Sequence, residues 1–177
     1  MNLKPPEFLN EYEEMTTKSI DIANKQLALE TLKLFRIIFK STNRHFHEIE
    51  KAVGIGGASL WAISEIAENS EITITDLAKS MSIHQTTASN LVDKLERSGY
   101  VQRIRSTIDR RVVNIKLTEF GRSILKNAPA PYRGILPDAL IKMETEQLSL
   151  LKNNLSSLIS SMDIKELNAA FETLGND

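Results

Sequence analysis

The chain contains no cysteine among its 177 residues. Disulfide bonds, thiolate zinc sites and a cysteine nucleophile are therefore excluded. It also lacks any run of about 18 apolar residues, the length that a membrane span requires. The first residues carry no apolar segment of the kind found in signal peptides. We therefore expect a cytoplasmic protein that makes no contact with membranes.

The chain also lacks an excess of charge of either sign, because its net charge is only −1. Such a balance predicts neither nonspecific coating of DNA nor adhesion to a membrane. With 41% hydrophobic residues, the chain has enough apolar material for one compact domain with helical extensions. The distribution of charge along the chain is therefore more informative than its total.

Histidines and glycines are few, and their spacing does not favour a metal or cofactor site. His45 and His47 are two residues apart, which places them on different faces of a helix, and the third histidine is His84. Gly54, Gly56 and Gly57 follow a helical pattern instead of a strand and lack the full dinucleotide fingerprint, so an interhelical turn is favoured. We expect neither a metal nor a cofactor.

The centre of the chain has the pattern of a helix-turn-helix. Thr73 is followed three residues later by Asp76, the spacing of a capping box, after a short strand predicted at residues 72–74. Ser82 and Gln85 have the same spacing, which predicts a second helix over residues 83–98 that ends at Gly99. Its first half carries short polar side chains able to bond base edges: Gln85, Thr86, Thr87, Ser89 and Asn90.

After Gly99 the apolar period changes from helical to alternating. Residues 101–105 and 112–117 predict two strands of a hairpin joined by a loop at 106–111. Residues 84–116 carry seven positive and three negative side chains, a net charge of +4, which leaves −5 for the rest. A helix-turn-helix followed by a basic hairpin predicts a winged helix that binds duplex DNA.

Several motifs at the right separations resemble the MarR (multiple antibiotic resistance regulator) family. They are Asp76-Leu77-Ala78, the run from Thr86 to Glu96, Gly99-Tyr100-Val101, Asp109-Arg110-Arg111 and the run from Leu117 to Gly121. The likeness spans about residues 30–162, with its core at 73–121. It implies a homodimeric transcription regulator that is not an enzyme and whose DNA affinity can respond to a small-molecule effector. Without cysteine, the thiol-based peroxide sensing of some relatives is excluded.

The resemblance also implies roles for individual residues. Helix 83–98 would enter the major groove, and the wing would reach the adjacent minor groove. Arg111 matches the family's minor-groove arginine, and Asp109 matches the acid that orients it. The predicted DNA-binding residues are Gln85, Thr86, Thr87, Ser89, Asn90, Lys94, Arg103, Arg105, Asp109, Arg110 and Arg111. For the arginine cluster, a solvated hairpin edge is the simpler alternative.

Two apolar series with alternating spacings of three and four residues flank this segment. The N-terminal apolar series is Leu32, Phe35, Phe39, Thr42, Phe46, Ile49 and Val53, and the C-terminal apolar series is Leu148, Leu151, Leu155, Leu158 and Met162. Either series could form intramolecular core or a dimer interface. In the resembled family the terminal helices intertwine to form the dimer.

The sequence therefore predicts a mainly α (α+β) fold, a winged helix-turn-helix with long terminal dimerisation helices. We assign residues 59–118 to the DNA-binding domain and residues 31–58 and 119–177 to the helical dimerisation region. Residues 1–30, with a net charge of −3, form an N-terminal extension that is either helical from about Pro6 or a frayed or swapped arm. Further helices are predicted at 59–69, at 120–127 and from about Thr145.

An effector cleft is predicted near the first long helix. Phe46 and Trp61 would line it, with Asn43, Arg44 and His47 as polar anchors, although core packing is the default for such aromatic residues. An effector changes DNA affinity only if it binds one conformation better than the other.

Two other classes of function compete with a DNA-binding regulator. The first is a winged helix that serves as a protein-interaction or dimerisation module without specific DNA binding, which the basic wing argues against. The second is an enzyme, such as a methyltransferase with a winged-helix dimer domain. No cofactor fingerprint or nucleophile and base pair is present to support it.

Overall fold

A computed structural model describes residues 7–163 and 166–174 of the chain, with side chains from residue 21 onward. Its elements in order are α1 (Glu7–Val53), α2 (Gly57–Glu68), α3 (Ile74–Ser80), α4 (Gln85–Arg97), β1 (Val101–Arg105), β2 (Val113–Leu117), α5 (Glu119–Asn127), α6 (Ile135–Ile141), α7 (Thr145–Ser161) and a 3-10 turn (Leu167–Phe171). The predicted mainly helical fold with one small antiparallel sheet is confirmed. The predicted helix start at Pro6 lies outside the described residues.

The chain divides into two compact units, residues 1–41 and 42–177. The described part of the first unit is the N-terminal portion of α1. The Phe35 and Phe39 rings stack there with centroids 6.4 Å apart. Large apolar side chains of this portion are exposed: Ile22, Leu27, Leu29, Leu32, Leu34, Ile37, Ile38 and Phe39. A single chain therefore leaves this part of the N-terminal apolar series uncovered.

The core of the second unit is built from short elements that each contribute one apolar face. Its fully buried large side chains come from α1, α2, α3, α4, β1 and β2: Ile49, Leu60, Ile63, Leu77, Val92, Leu95, Val101 and Ile115. Thr42 and Ile49 are buried, so the second half of the N-terminal apolar series is intramolecular core. The intramolecular-core alternative therefore applies to this half of the series.

The predicted capping box at the start of α3 is confirmed. The Thr73 hydroxyl accepts from the Asp76 backbone N–H at 3.2 Å, and the Asp76 carboxylate accepts from Thr73. The pKa of Asp76 is lowered, first by the side-chain hydrogen bond from Thr73.

The strand predicted at 72–74 is wrong, because Ile74 begins the capped helix. Only the Ile72 carbonyl joins the sheet, by accepting from Ile115 N–H at 2.8 Å.

The second predicted capping box, between Ser82 and Gln85, is wrong. Ser82 adopts a positive φ of 56°, and α4 begins at Gln85 with His84 as its N-cap residue. An N-cap residue has an extended backbone, as His84 does, so Ser82 in the left-handed region cannot cap the helix. At the other end, Gly99 has φ +77°, as its predicted role as the stop of α4 requires.

The wing hairpin follows directly. β1 and β2 are antiparallel, with Val101 opposite Leu117 and Arg105 opposite Val113, so residues 106–112 form the loop. The loop is one residue longer than predicted: Val112 N–H bonds to the Asp109 carbonyl within the loop, while the Val112 carbonyl accepts from Ser106 N–H and closes the hairpin. Gly121 of α5 lies so close to the Tyr100 carbonyl that a Cβ could not fit there.

Beyond the wing, α5 and α7 match the two predicted helices closely, whereas α6 was not predicted. Pro129 and Pro131 lie in the break between α5 and α6, and Pro137 occupies the first turn of α6, where its missing N–H is tolerated. Within the described residues, no helix has both the length and the apolar character to cross a membrane.

Candidate nucleic-acid interface

One face of α4 is polar and the opposite face is buried. Gln85, Thr86, Asn90 and Lys94 are exposed, and Thr87 and Ser89 are half-buried. On the other face, the core holds Ala88, Leu91, Val92 and Leu95. The predicted base-reading residues therefore share one face of a helix whose orientation is fixed by core packing.

Gln85 is further restrained at the start of this face. Its side-chain amide donates to the Thr75 hydroxyl of α3 at 3.3 Å. This contact ties the two helices of the helix-turn-helix together on their polar side. The amide oxygen of Gln85 can still accept a hydrogen bond.

At the wing tip, Arg111 and Asp109 form a paired unit. Arg111 Nε donates to Asp109 Oδ1 at 3.1 Å and Nη2 donates to Oδ2 at 3.0 Å. The Arg111 backbone N–H also donates to Oδ1, at 3.0 Å. The Arg111 side chain is nevertheless 90% exposed. The loop thus presents an outward guanidinium whose orientation is set before any partner binds.

The electrostatics of the wing agree with this geometry. The Arg111 side chain, and then its backbone N–H, hold the pKa of Asp109 below its ordinary value. Ser106 stiffens the same loop, because its hydroxyl accepts from the Ile108 N–H at 3.2 Å and from the Asp109 N–H at 3.4 Å. The orienting carboxylate is therefore charged at neutral pH.

Arg103 faces α4. Its Nη2 donates to Asp93 Oδ1 at 2.5 Å, its Nη1 pairs with Glu96, and its backbone N–H donates to Glu96 Oε1 at 3.0 Å. Partial burial lowers its pKa, but the hydrogen bonds to Asp93 and Glu96 outweigh that effect and raise it. The guanidinium predicted to bind DNA thus joins β1 to α4.

Sequence reasoning counted Asp93 and Glu96 only as charges. Their spacing of three residues places both carboxylates on one side of α4. That spacing was the sequence signal that one cationic side chain could pair with both. The other predicted arginines, Arg105 and Arg110, are exposed. Positive charge on the wing is therefore divided between a structural arginine and outward-facing ones.

A separate cavity of about 320 Å³ lies in the second unit. Phe46 and Trp61 line it and also pack against the core, whereas Asn43, Arg44 and His47 are exposed and do not line it. Arg44 is paired with Glu48 at 2.9 Å instead. The polar groups at the cavity are Ser82, Arg133, Glu172 and Thr173. Sequence reasoning missed these four because they come from three distant stretches of chain.

His45 has a structural partner: its Nε2 lies 3.1 Å from the Pro131 carbonyl oxygen. Over residues 7–163 and 166–174, His, Asp and Glu side chains form no group of three or more that could hold a metal ion.

Comparison with known proteins identifies relatives of this arrangement. The MarR family sequence model matches residues 59–113. The chain is 30% identical over 118 residues to the transcriptional repressor MprA of Escherichia coli strain K12, covering 64% of this chain and 67% of MprA. It is 26% identical over 171 residues to the HTH-type transcriptional repressor YetL of Bacillus subtilis strain 168, covering 94% of each chain.

A solved structure supports the fold. The crystal structure of the S. aureus MepR-DNA complex superposes with a TM-score of 0.52 at 23% identity, covering 72% of this chain and 93% of that chain.

Proposed function

This chain belongs to the MarR family of transcriptional regulators, and we propose that it represses transcription by binding operator DNA as a homodimer. The observation that carries the proposal is that the second unit exposes two surfaces suited to DNA. One is the polar face of α4, and the other is the outward guanidinium of Arg111, held by Asp109.

In this proposal α4 enters the major groove. Gln85 has the donor and acceptor groups that match an adenine edge, and the methyls of Thr86 and Thr87 match thymine methyls. Ser89, Asn90 and Lys94 extend the same face toward the backbone phosphates. Burial of the opposite face of α4 means that little of the helix must reorganise on binding.

Arg111 is proposed to enter the adjacent minor groove. A narrow A/T-rich groove has enhanced negative potential, so an inserted arginine responds to groove shape more than to base identity. The two hydrogen bonds to Asp109 reduce the conformational entropy that Arg111 loses on binding. Arg105 and Arg110 are proposed phosphate contacts, since both are exposed.

Arg103 is proposed as a positioning residue. Its bonds to Asp93 and Glu96 fix the first strand of the wing against α4. Major-groove and minor-groove elements must keep a fixed separation to engage one duplex, and this link helps to maintain it.

The homodimer is proposed because large apolar side chains remain exposed in a single chain. They lie along α1 before residue 42, as given above, and also on α7 at Leu150, Leu158 and Ile159. Exposed large apolar side chains clustered along a helix are typical of an interface. A two-fold dimer predicts a pseudo-palindromic operator with half-sites about 10 bp apart.

The test is fluorescence anisotropy with DNA from upstream of the chain's own gene and with scrambled DNA, over a salt series. We expect selective, salt-dependent binding that Arg111→Ala lowers by more than tenfold. Arg122→Ala on α5 is the control, because it also removes one exposed arginine charge. Equal losses in the two variants would contradict a specific role for Arg111, and no preference for the native DNA would favour an interaction module.

The dimer has its own test. Phe39 is 64% exposed, so Phe39→Glu should leave the fold of one chain intact while placing charge in the proposed interface. We expect light scattering to show a monomer with weakened operator binding. A dimer that survives this change would place the interface elsewhere.

A small-molecule effector is also proposed, at the cavity beside Phe46 and Trp61. Its volume of about 320 Å³ and its aromatic lining are those of a ligand pocket. Trp61 is the single tryptophan of the chain, so its fluorescence reports on the cavity directly. Titration with benzoate, an aromatic anion that suits these rings and Arg133, should change Trp61 emission and DNA affinity together. A fluorescence change without a change in DNA affinity would argue against a regulatory role.

A further inference from the structure

The segment formed by residues 166–174 lies against the start of α4. The His84 backbone N–H donates to the Phe171 carbonyl at 3.1 Å, and the two rings contact each other with centroids 4.5 Å apart. His84 is the N-cap residue of α4. A segment from the far end of the sequence thus holds the residue at which the proposed recognition helix begins.

The same segment also faces the turn between α3 and α4. Ala169, Ala170 and Leu174 line the same cavity as Met81, Ser82 and Ile83. Backbone bonding, ring contact and this shared cavity all place the segment at one end of the helix-turn-helix.

This end of α4 is where DNA would approach. In helix-turn-helix proteins the N-terminal residues of the recognition helix contact base edges, and the helix dipole there attracts phosphate. Residues 166–174 carry Glu166 and Glu172 and no basic residue. They therefore bring negative charge to the end of α4 that DNA phosphates would approach.

We propose that residues 166–174 are an intramolecular competitor of DNA, docked on His84 in the free protein and displaced when α4 enters the major groove. This inference rests on the proposed DNA-binding function. Only the undocked fraction of molecules binds DNA, so the apparent affinity is the intrinsic affinity multiplied by that fraction.

The first test is Phe171→Ala, measured by anisotropy on the same upstream DNA. Phe171 is 47% exposed, so its removal loosens the docked segment without opening the core. An aromatic pair contributes about two- to tenfold to an equilibrium, and we expect DNA affinity to rise by that factor. Leu167→Ala is the matched control, because Leu167 is a more exposed apolar residue of the same segment. We expect this control to leave the affinity unchanged.

The second test uses the absence of native cysteines. In a His84→Cys, Phe171→Cys double variant, oxidation would lock the segment in place, because the backbone hydrogen bond already holds the two positions together. The oxidised protein should bind DNA at least tenfold more weakly than the same protein after reduction. Each sample is its own control for the loss of the two rings.

Unchanged or weaker DNA binding by Phe171→Ala, or equal affinity of the bridged and reduced double variant, would overturn the inference. If the bridge does not form, the Phe171→Ala result decides alone. If neither the native protein nor any variant prefers the upstream DNA, the proposed function itself fails and this inference with it. Selective binding by the native protein without a gain in Phe171→Ala would refute only the competitor.

Discussion

Replacing Arg103 with alanine separates a positioning role from a phosphate contact. The guanidinium is 26% exposed and bonds two carboxylates, Asp93 and Glu96, which are themselves partly exposed. Each such half-exposed pair contributes about 0.5–1 kcal/mol, well below a fully buried pair. We therefore expect Arg103→Ala to lower the free energy of unfolding by about 1–2 kcal/mol in urea titrations.

DNA affinity should fall together with stability. Without the bonds of Arg103, part of the binding free energy is used to order β1 against α4. A loss of about 1.4 kcal/mol of binding free energy lowers the DNA affinity tenfold. The dependence of affinity on salt should stay the same, because the bound protein neutralises the same number of phosphates. Arg103→Lys should behave almost like the alanine variant, since an ammonium group cannot bond both carboxylates in the planar geometry of a guanidinium.

Arg105→Ala is the matched control, two residues along the same strand and exposed. It should leave the free energy of unfolding unchanged and reduce the slope of log affinity against log salt by about 0.9 for each phosphate that is no longer neutralised. If Arg103→Ala reduced the salt slope in the same way and left stability unchanged, Arg103 would be a phosphate-binding residue and the positioning role would be refuted.

Two further changes test the wing and its junction with α5. Asp109→Asn adds positive net charge yet should weaken operator binding about tenfold, because the amide NH2 that replaces one carboxylate oxygen cannot accept a hydrogen bond from the Arg111 guanidinium; anisotropy at fixed salt measures this. Because Arg111 lowers the Asp109 pKa below 3.8, the carboxylate's contribution is present above that value and is lost only as pH falls through the lowered pKa. Native binding should therefore show no loss from this group between about pH 8 and pH 5. Gly121→Ala should destabilise the fold by about 1–3 kcal/mol in urea, since its Cβ would meet the Tyr100 carbonyl.

Local rules explain why much of the fold could be predicted. The capping box of Thr73 and Asp76 involves residues three apart, and the alternation of apolar side chains in β1 and β2 has a period of two. These signals depend on neighbours along the chain and need no knowledge of tertiary contacts. The charge excess of residues 84–116 is likewise visible in the sequence, and the resemblance to a known family supplies the pairing of Asp109 with Arg111.

The errors occurred where distant residues decide the local conformation. Ser82 and Gln85 have capping-box spacing, but the turn between two packed helices holds Ser82 at positive φ, and the box does not form. The DNA-binding role of Arg103 stays a prediction, but its neighbours along the chain do not reveal that Asp93 and Glu96 pair with it.

The order and type of most elements, the polar face of α4 and the basic wing thus follow from the amino-acid sequence alone. Tertiary contacts were needed to decide which arginine points outward, which half of the N-terminal apolar series is covered, and that Phe171 lies on His84. Helix caps and strand alternation involve residues a few positions apart, so sequence spacing encodes them. Contacts across the fold depend instead on how the whole chain closes around its core, and no spacing rule records that.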